Sequence, residues 1–449
     1  MSSRYSRRRF LQHTAASAGA AALATFSGTR YVLSHPLTSD KLRVAVVGAG
    51  GMGGYSVGCA LNEQLVALVD VDDNTIANIM RDTVRDQATP KIFHDYRKML
   101  DECHKDLDVV LIATPDHHHA PAAIRAIDYG KHVFCQKPLA HNIAECCALA
   151  KAARAKNVLT QMGNQGYCGE GIRRVAEYVA AGAVGTVTET HTLLDRNFGG
   201  TGGRPPSKPV PAGLHWDEWI GPAPFRDYHD GLHPFSWRDW KSFGTGTIGD
   251  MACHRLAYPF MALRLWEVKK YSVECLHTTG GSDEKYPQDN VVCYHIPARE
   301  AFPACKCYVY DHAELRPEVM KELEREYAVE WSEATLFVGT KGYLKNDARI
   351  VPDADHDKFP APPRTLPRAK SGGPIEELYV CIREGGTPVA NFTDVGGPLT
   401  AMALAGYLAQ MAGVGSTIEW DVDLMECTNN PEVNAFVRRE YRNGWEVDV

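Results

Sequence analysis

Six residues, Gly48-Ala-Gly50-Gly51-Met52-Gly53, constrain this chain more than any others. They follow a short β-branched run at 41–47 and precede a helix-compatible stretch. Glycines in this G-x-G-x-x-G spacing, between strand and helix, have a mechanical reason. The first permits a tight turn, the second lets backbone approach a pyrophosphate, and the third lets helix and strand pack closely. The helix N-terminus then faces the phosphates. Asp70 ends a second apolar run, 65–70, where an acidic side chain accepts hydrogen bonds from the adenosine ribose hydroxyls and repels a 2′-phosphate. The pattern predicts NAD in preference to NADP. A glycine-rich turn without a ligand is the competing reading, and the common register of strand, glycines, helix and acid stands against it.

The rhythm continues with strands at 108–114, 131–135 and 158–162 and helices at 119–129 and 142–156. Strands alternating with helices predict a doubly wound parallel sheet, the Rossmann arrangement. Beyond it a helix at 171–181 and a strand at 186–194 lead to a glycine- and proline-rich loop, 199–213. A tryptophan-rich segment follows at 216–240, then strand-like runs at 271–278, 290–296, 304–310 and 335–339. Without regular intervening helices, these predict an α/β domain with a large, open, mainly antiparallel sheet. A second proline-rich loop covers 353–374 and a helix 398–411. The expected division is a signal and linker at 1–38, an NAD-binding domain at 39–161 and a substrate-binding and oligomerisation domain at 162–449, its closing segment packing back on the first.

The N-terminus reads separately. Ser6-Arg7-Arg8-Arg9-Phe10-Leu11 precedes an alanine-rich stretch at 14–26, with small residues around Ala22-Leu23-Ala24. That stretch is shorter than the roughly 20 residues of a spanning helix. It resembles a twin-arginine signal, which exports folded proteins, here to the periplasm; the alternative is a disordered basic tail. No cysteine lies there to carry a lipid, so no stable membrane anchor is expected. The net charge of −7 and the lack of any other basic tract point away from nucleic acid. The 13 cysteines are odd in number and irregularly spaced, several within apolar runs, which predicts free core thiols rather than disulfides. Cys305-Lys-Cys307 has no second pair at metal-ligand spacing, so no zinc site is expected there.

Three further segments sit at predicted strand or helix ends. Thr114-Pro115-Asp-His117-His-His119 follows the third strand at the ligand edge of such sheets, and predicts a wall of the cofactor pocket. Adjacent histidines point in different directions, so metal is not expected. Gln136-Lys137-Pro138 ends the next strand, where a lysine donates to a reacting oxygen, or is simply a surface residue. Asp250 and His254, four apart after the glycine-rich 244–249, share one helix face. His254 is placed to take a hydroxyl proton and Asp250 to orient it; plain structure is the alternative.

Together these segments resemble the glucose–fructose oxidoreductase, inositol dehydrogenase and rhizopine catabolism (Gfo/Idh/MocA) family, from about residue 41 onward. The carriers are Gly48–Gly53, Asp70, Thr114 to His117, Gln136-Lys137-Pro138, Gly163-Asn164-Gln165, Asp250 with His254, Phe337 to Gly342, and the closing Asn430 to Trp445. The resemblance implies NAD-dependent oxidation of a sugar or polyol CH–OH by a homodimer or homotetramer. It also implies Lys137, Asp250 and His254 as the catalytic group, and Asn164 beside the cofactor. The family's Glu-Lys-Pro reads Gln-Lys-Pro here, which removes a carboxylate partner for the lysine. The segment with His233, Trp237, Arg238 and Trp240 is similar to that of exported members; aromatic faces stack on pyranose rings while Arg and His bind hydroxyls. Packing within the second domain competes as an explanation. Arg196 also belongs to the expected pocket. Two functions besides net dehydrogenation stay open. One is redox-neutral, NAD-assisted glycoside cleavage through a transient keto-sugar; the other is a non-catalytic sugar-binding protein.

Overall fold

The structure is a computed structural model that describes residues 40–449. The expected export signal lies outside the described residues. The first domain runs β1 (Arg43–Val47), α1 (Gly53–Leu61), β2 (Gln64–Val69), α2 (Asp73–Ile79), β3 (Lys91–Phe93), α3 (Tyr96–Cys103), β4 (Val109–Ile112), α4 (Asp116–Asp128), β5 (His132–Gln136), α5 (Ile143–Lys156) and β6 (Thr160–Gly163). Its sheet has the order β3-β2-β1-β4-β5-β6, every pair parallel. The strand order reverses between β1 and β4, opening a crevice at the carboxyl edge. β4 and β5 are buried along their whole length, as covering on both faces requires. Asp72, Asp95 and Asn142 cap α2, α3 and α5 with side-chain oxygens.

Several expected boundaries shift. β3 has three residues, two of them exposed, and so carries no apolar pattern to read. Helix α4 begins at Asp116 and takes in all three histidines. The domain boundary expected at 161 falls inside β6, whose Gly163 still pairs with Gln136, so the chain leaves the sheet after Gly163.

In the second domain α6 (Gly171–Ala180) leads to β7 (Val187–Leu193), and α7 (Gly246–Arg255) precedes β8 (Lys270–Gly280), β9 (Pro287–Ile296) and β10 (Cys305–Tyr310). Then come α8 (Glu318–Tyr327), β11 (Thr335–Gly339), β12 (Gly342–Lys345), β13 (Ile350–Val351), α9 (Pro374–Glu384), α10 (Gly397–Ala412), β14 (Thr417–Asp421) and β15 (Glu426–Cys427). The nine strands take the order β13-β12-β11-β7-β10-β9-β8-β14-β15. Only β7–β10 is parallel; the rest are antiparallel.

Two later segments return to the first domain. Ile375, Leu378, Tyr379 and Ile382 of α9 share a core with Val44, Val46, Leu68 and Leu111. In the closing tail, Arg439 bonds the His117 carbonyl at 2.6 Å and pairs with buried Glu145 at 2.7 Å. All 13 cysteines are free, and all but Cys147 are buried. Among the described residues, no helix is long and apolar enough to cross a membrane.

Candidate functional site

The glycine loop joins β1 to α1. Gly48 has φ +82°, and a Cβ there would lie 2.8 Å from the Ala113 carbonyl oxygen. A Cβ on Gly53 would lie 2.1 Å from the Gly48 carbonyl oxygen, so the helix packs as it does only with glycine. The outer face is different: nothing lies within 4 Å of a Cβ on Gly51, and only Thr75 is near one on Gly50. Exposed Met52 borders the same face. Asp70 Oδ2 accepts the Ala49 N–H at 2.8 Å and the Gly50 N–H at 3.3 Å, while Oδ1 accepts the Asp72 N–H at 3.1 Å. Burial pushes this carboxyl above its ordinary value, and those three N–H groups offset the rise only in part. An open glycine face with an acid at its rim fits a dinucleotide.

The ends of β4 and β5 carry two buried polar atoms without partners, Thr114 Oγ1 and Gln136 Nε2. Buried donors and acceptors are normally paired, so these fit a polar ligand along the crevice. Gln136 is pressed against Gly163, where a Cβ would come within 2.4 Å of its Oε1. Pro115 sits at the N-cap of α4. His117 does not form the expected cofactor wall. It is fully buried, its Nε2 lies 3.0 Å from the Trp219 carbonyl oxygen, and its backbone N–H donates to Phe243. His118 Nε2 reaches the same Trp219 oxygen at 2.9 Å. His119 Nδ1 and Nε2 contact the carbonyls of Pro138 and Thr114 at 2.7 and 2.9 Å. Burial holds all three below the ordinary histidine value, His118 at about 3. His117 and His118 thus rivet the domains together through Trp219, while His119 ties the ends of β4 and β5 within the first domain.

Lys137 leaves the end of β5 and meets Asp250 on α7. Its Nζ donates to Asp250 Oδ2 at 2.8 Å and to the Asp250 carbonyl at 3.2 Å. Burial lowers the lysine, but the charge and hydrogen bond of Asp250 outweigh it and leave the ammonium above its ordinary value. Asp250 thus supplies the partner that a family glutamate at position 136 would have offered. His254, one turn on, lies with Nδ1 3.4 Å from Asn164 Oδ1. Asn164 Nδ2 donates to the Cys253 carbonyl at 2.7 Å, which turns its oxygen toward the histidine. That hydrogen bonding assigns the proton to His254 Nδ1 and the lone pair to Nε2. Burial and the Lys137 charge push His254 down to about 3, so the ring is neutral.

One residue of this site was not singled out by the sequence. Asp116 is 1% exposed and its Oδ2 accepts the Thr245 hydroxyl at 2.8 Å. Burial, then the nearby Asp250 charge, pushes its carboxyl up to about 8. Its place in the Thr-Pro-Asp-His run was visible, but Thr245 and Asp250 come from more than a hundred residues away.

The expected substrate residues divide. Arg238 Nε lies 3.5 Å from Asp250 Oδ1, with its guanidinium 4.2 Å from the exposed Phe235 ring and 4.3 Å from that of Trp237. His233 Nε2 lies 3.7 Å from Asp72 Oδ2, near the other end of the crevice. Trp240 is no sugar platform: it is 1% exposed, donates to the Gly231 carbonyl and packs with Trp216, Trp219 and Phe243 in a separate core. Trp237, 5% exposed, belongs to the same core. Arg196 pairs with Glu333, which also pairs with Arg255 next to His254.

With this geometry in place, the comparisons are specific. Residues 42–164 match a profile described as oxidoreductase family, NAD-binding Rossmann fold, of Gfo/Idh/MocA type. Residues 172–263 match the C-terminal alpha/beta domain of the same family. Both matched regions, residues 42–164 and 172–263, are thus of the Gfo/Idh/MocA oxidoreductase family. The chain's first domain is therefore the family's NAD-binding domain. Levoglucosan dehydrogenase from Pseudarthrobacter phenanthrenivorans is 31% identical over 161 residues, 36% of this chain and 33% of that protein. A glycosyl hydrolase family 109 protein from Shewanella putrefaciens is 35% identical over 138 residues, 28% of this chain and 29% of that protein. The matched stretches thus span about a third of the relatives' own length. Aldose-aldose oxidoreductase from Caulobacter crescentus shares the fold, with a TM-score of 0.56 and 19% identity over 84% of this chain and 99% of that one.

Proposed function

We propose that this Gfo/Idh/MocA protein is an NAD-dependent oxidoreductase acting on a ring CH–OH of a sugar, sugar derivative or polyol. The observation that carries the reading is the buried Lys137–Asp250 pair beside a neutral His254 at the carboxyl edge of the NAD-binding sheet. A mere binding protein has no use for a lysine ammonium held this way. Gly48, Gly50, Gly51, Met52, Gly53 and Asp70 would hold the dinucleotide, with Thr114, Pro115, Gln136 and Asn164 toward the nicotinamide end. When bound, NAD supplies the hydride acceptor for oxidation of a CH–OH carbon.

The chain's own residues handle the oxygen and its proton. Lys137 spends two of its three N–H donors on Asp250 and offers the third to the substrate oxygen. His254 presents its Nε2 lone pair to the hydroxyl hydrogen and, being neutral, is ready to accept it. Lys137 stabilises the negative charge that grows on the oxygen. Arg238, with Phe235, lies on the substrate side of Asp250.

A second reading, NAD-assisted glycoside cleavage that returns the cofactor to its starting state, is favoured by the family 109 hydrolase likeness. The twin-arginine-like N-terminus adds to it, because an exported enzyme has little free NAD to draw on. One experiment separates the two: incubation of the purified protein with a panel of sugars, polyols and glycosides, following NADH absorbance and released sugar together. NADH without sugar release supports the dehydrogenase, release without NADH the cleavage; neither signal, with no oxidised or reduced sugar product formed on any substrate or pair of substrates, removes both.

A further inference from the structure

Two cations of the catalytic group lean on a single acid. Lys137 Nζ lies 2.8 Å from Asp250 Oδ2, and Arg238 Nε lies 3.5 Å from Oδ1 of the same carboxylate. The two basic side chains are only 18% and 21% exposed. Among the described residues, no second acid pairs with either of them. Asp116, buried against the Thr245 hydroxyl and pushed up to about 8, is protonated at neutral pH, and His254 is neutral. Asp239, beside Arg238, is matched by Lys285. Glu333, beyond His254, already pairs with both Arg196 and Arg255. With two cations to one carboxylate, the group carries an unbalanced positive charge. A charge drawn this far out of water is costly unless paired, and here the partner has to arrive with the ligand.

Arg238 is held in a form that can take it. Its Nη1 donates to the Phe235 carbonyl at 3.1 Å, and its Nη2 has no partner among the described residues. The guanidinium carbon lies 4.2 Å from the Phe235 ring centre and 4.3 Å from that of Trp237. A guanidinium braced on aromatic rings, with N–H groups to spare, suits a carboxylate. Phe235, 58% exposed, meets Phe198 edge-on with centroids 6.3 Å apart. Phe198 N–H donates to Thr247 Oγ1 at 2.7 Å, which ties that ring to α7, the helix of Asp250. The two rings offer the C–H face of a pyranose a surface to lie on. Because both cations touch one carboxylate, a single sugar unit reaches from Arg238 to Lys137.

We propose, resting on the reading that this site oxidises a sugar, that its substrate is a sugar acid, with its carboxylate on Arg238 and its reacting CH–OH at Lys137 and His254. One negative charge balances the group. A phosphate monoester, carrying about 1.5–2 negative charges at neutral pH, overshoots it.

The test uses the full chain and three pyranose uronates, D-glucuronate, D-galacturonate and D-mannuronate. Each is compared with its methyl ester and with the corresponding aldose 6-phosphate, by calorimetric binding in the presence of NADH and by turnover with NAD. At least one uronate should bind about 10–100-fold more tightly than its ester and more tightly than the phosphate, as a charge-assisted hydrogen bond allows. That preference should shrink with added salt. Arg238→Gln should bring the uronate-to-ester ratio close to one, with KM rising more than kcat falls, and Arg238→Lys should keep part of it. Esters bound as well as uronates throughout, no uronate bound, a phosphate bound best, or an undiminished ratio in Arg238→Gln overturns the proposal. Uronate binding with the full preference but no oxidation keeps the anion site and removes the oxidoreductase reading instead.

Discussion

At the residue scale, one ion pair organises the chemistry. Lys137→Met should lower kcat by about 10²–10⁴-fold while NAD affinity stays close to wild type, because Nζ faces Asp250 rather than the glycine loop. Near-native turnover in both Lys137→Met and His254→Ala would end this assignment. Asp70 tests the cofactor in a different way. NAD should bind more tightly than NADP, since a 2′-phosphate would meet the Asp70 carboxylate. Asp70→Asn should narrow the gap without collapsing the loop, because an amide oxygen still accepts from Ala49 and Gly50. Tighter binding of NADP to the wild type would mean that the carboxylate serves only the loop. Asp116 provides the pH signature. Its folded pKa of about 8 lies above the unfolded value, so the folded chain keeps a proton that the unfolded chain releases above about pH 4. Stability should fall as pH rises from about 4 toward 8, and Asp116→Asn should flatten that slope while keeping the Thr245 hydrogen bond. Parallel Tm–pH curves would show Asp116 ionised in the fold.

At the scale of elements, what could be read depended on whether the signal was local. β1, the glycines and α1 are adjacent in sequence, and so are β5 and Lys137; both were legible from order alone. Asp250 and His254 were legible as a helix face, and their meeting with Lys137 followed only from the family resemblance. Trp240 was misassigned because a tryptophan reads the same whether it stacks on a sugar or fills a core, and its neighbours Trp216, Trp219 and Phe243 decide for the core. The pairing of Arg196 with Glu333, 137 positions away in sequence, left no local signal. The three-residue β3, two of its residues exposed, left no periodic trace at all. Helix α6 shows a similar long-range device. Buried Glu177 accepts the N–H groups of Thr365 and Leu366 and pairs with Arg174 and Arg368, fastening a proline-rich loop. Although burial alone would raise it, these partners hold it at about 2. Its contribution is therefore complete above about pH 4 and is lost as pH falls through about 2. Glu177→Gln should cost about 2–3 kcal/mol at neutral pH, the low side for a broken buried pair because Arg368 keeps Glu170 and some solvent. Chemical denaturation at pH 7 and pH 3 checks both parts; a loss that does not shrink at pH 3 would mean the charge is not what fastens the loop.

At the scale of the whole molecule, the chain closes on its cofactor domain from two directions. The loop at 213–215 bonds across the end of β2, and the tail from Arg439 to Trp445 locks onto α4 and α3, with Arg97 3.5 Å over the Trp445 ring. A dinucleotide bound in the crevice would be bordered at its adenosine end by that loop, and we expect it to exchange slowly. Export of the folded chain, which we propose from the twin-arginine-like N-terminus, would give slow exchange a purpose: NAD would leave bound and have to be restored in every cycle. We therefore expect NAD to copurify with the full chain and turnover to be redox-neutral, either by dismutation between two sugars or by oxidation, elimination and re-reduction within one. Denaturing the purified protein and assaying the released nucleotide, then following turnover with no NAD added, reads both halves of the expectation. Near-stoichiometric nucleotide with sustained turnover would support it. An empty site together with strict dependence on stoichiometric added NAD would instead make this an ordinary dehydrogenase whose crevice opens freely despite its two straps.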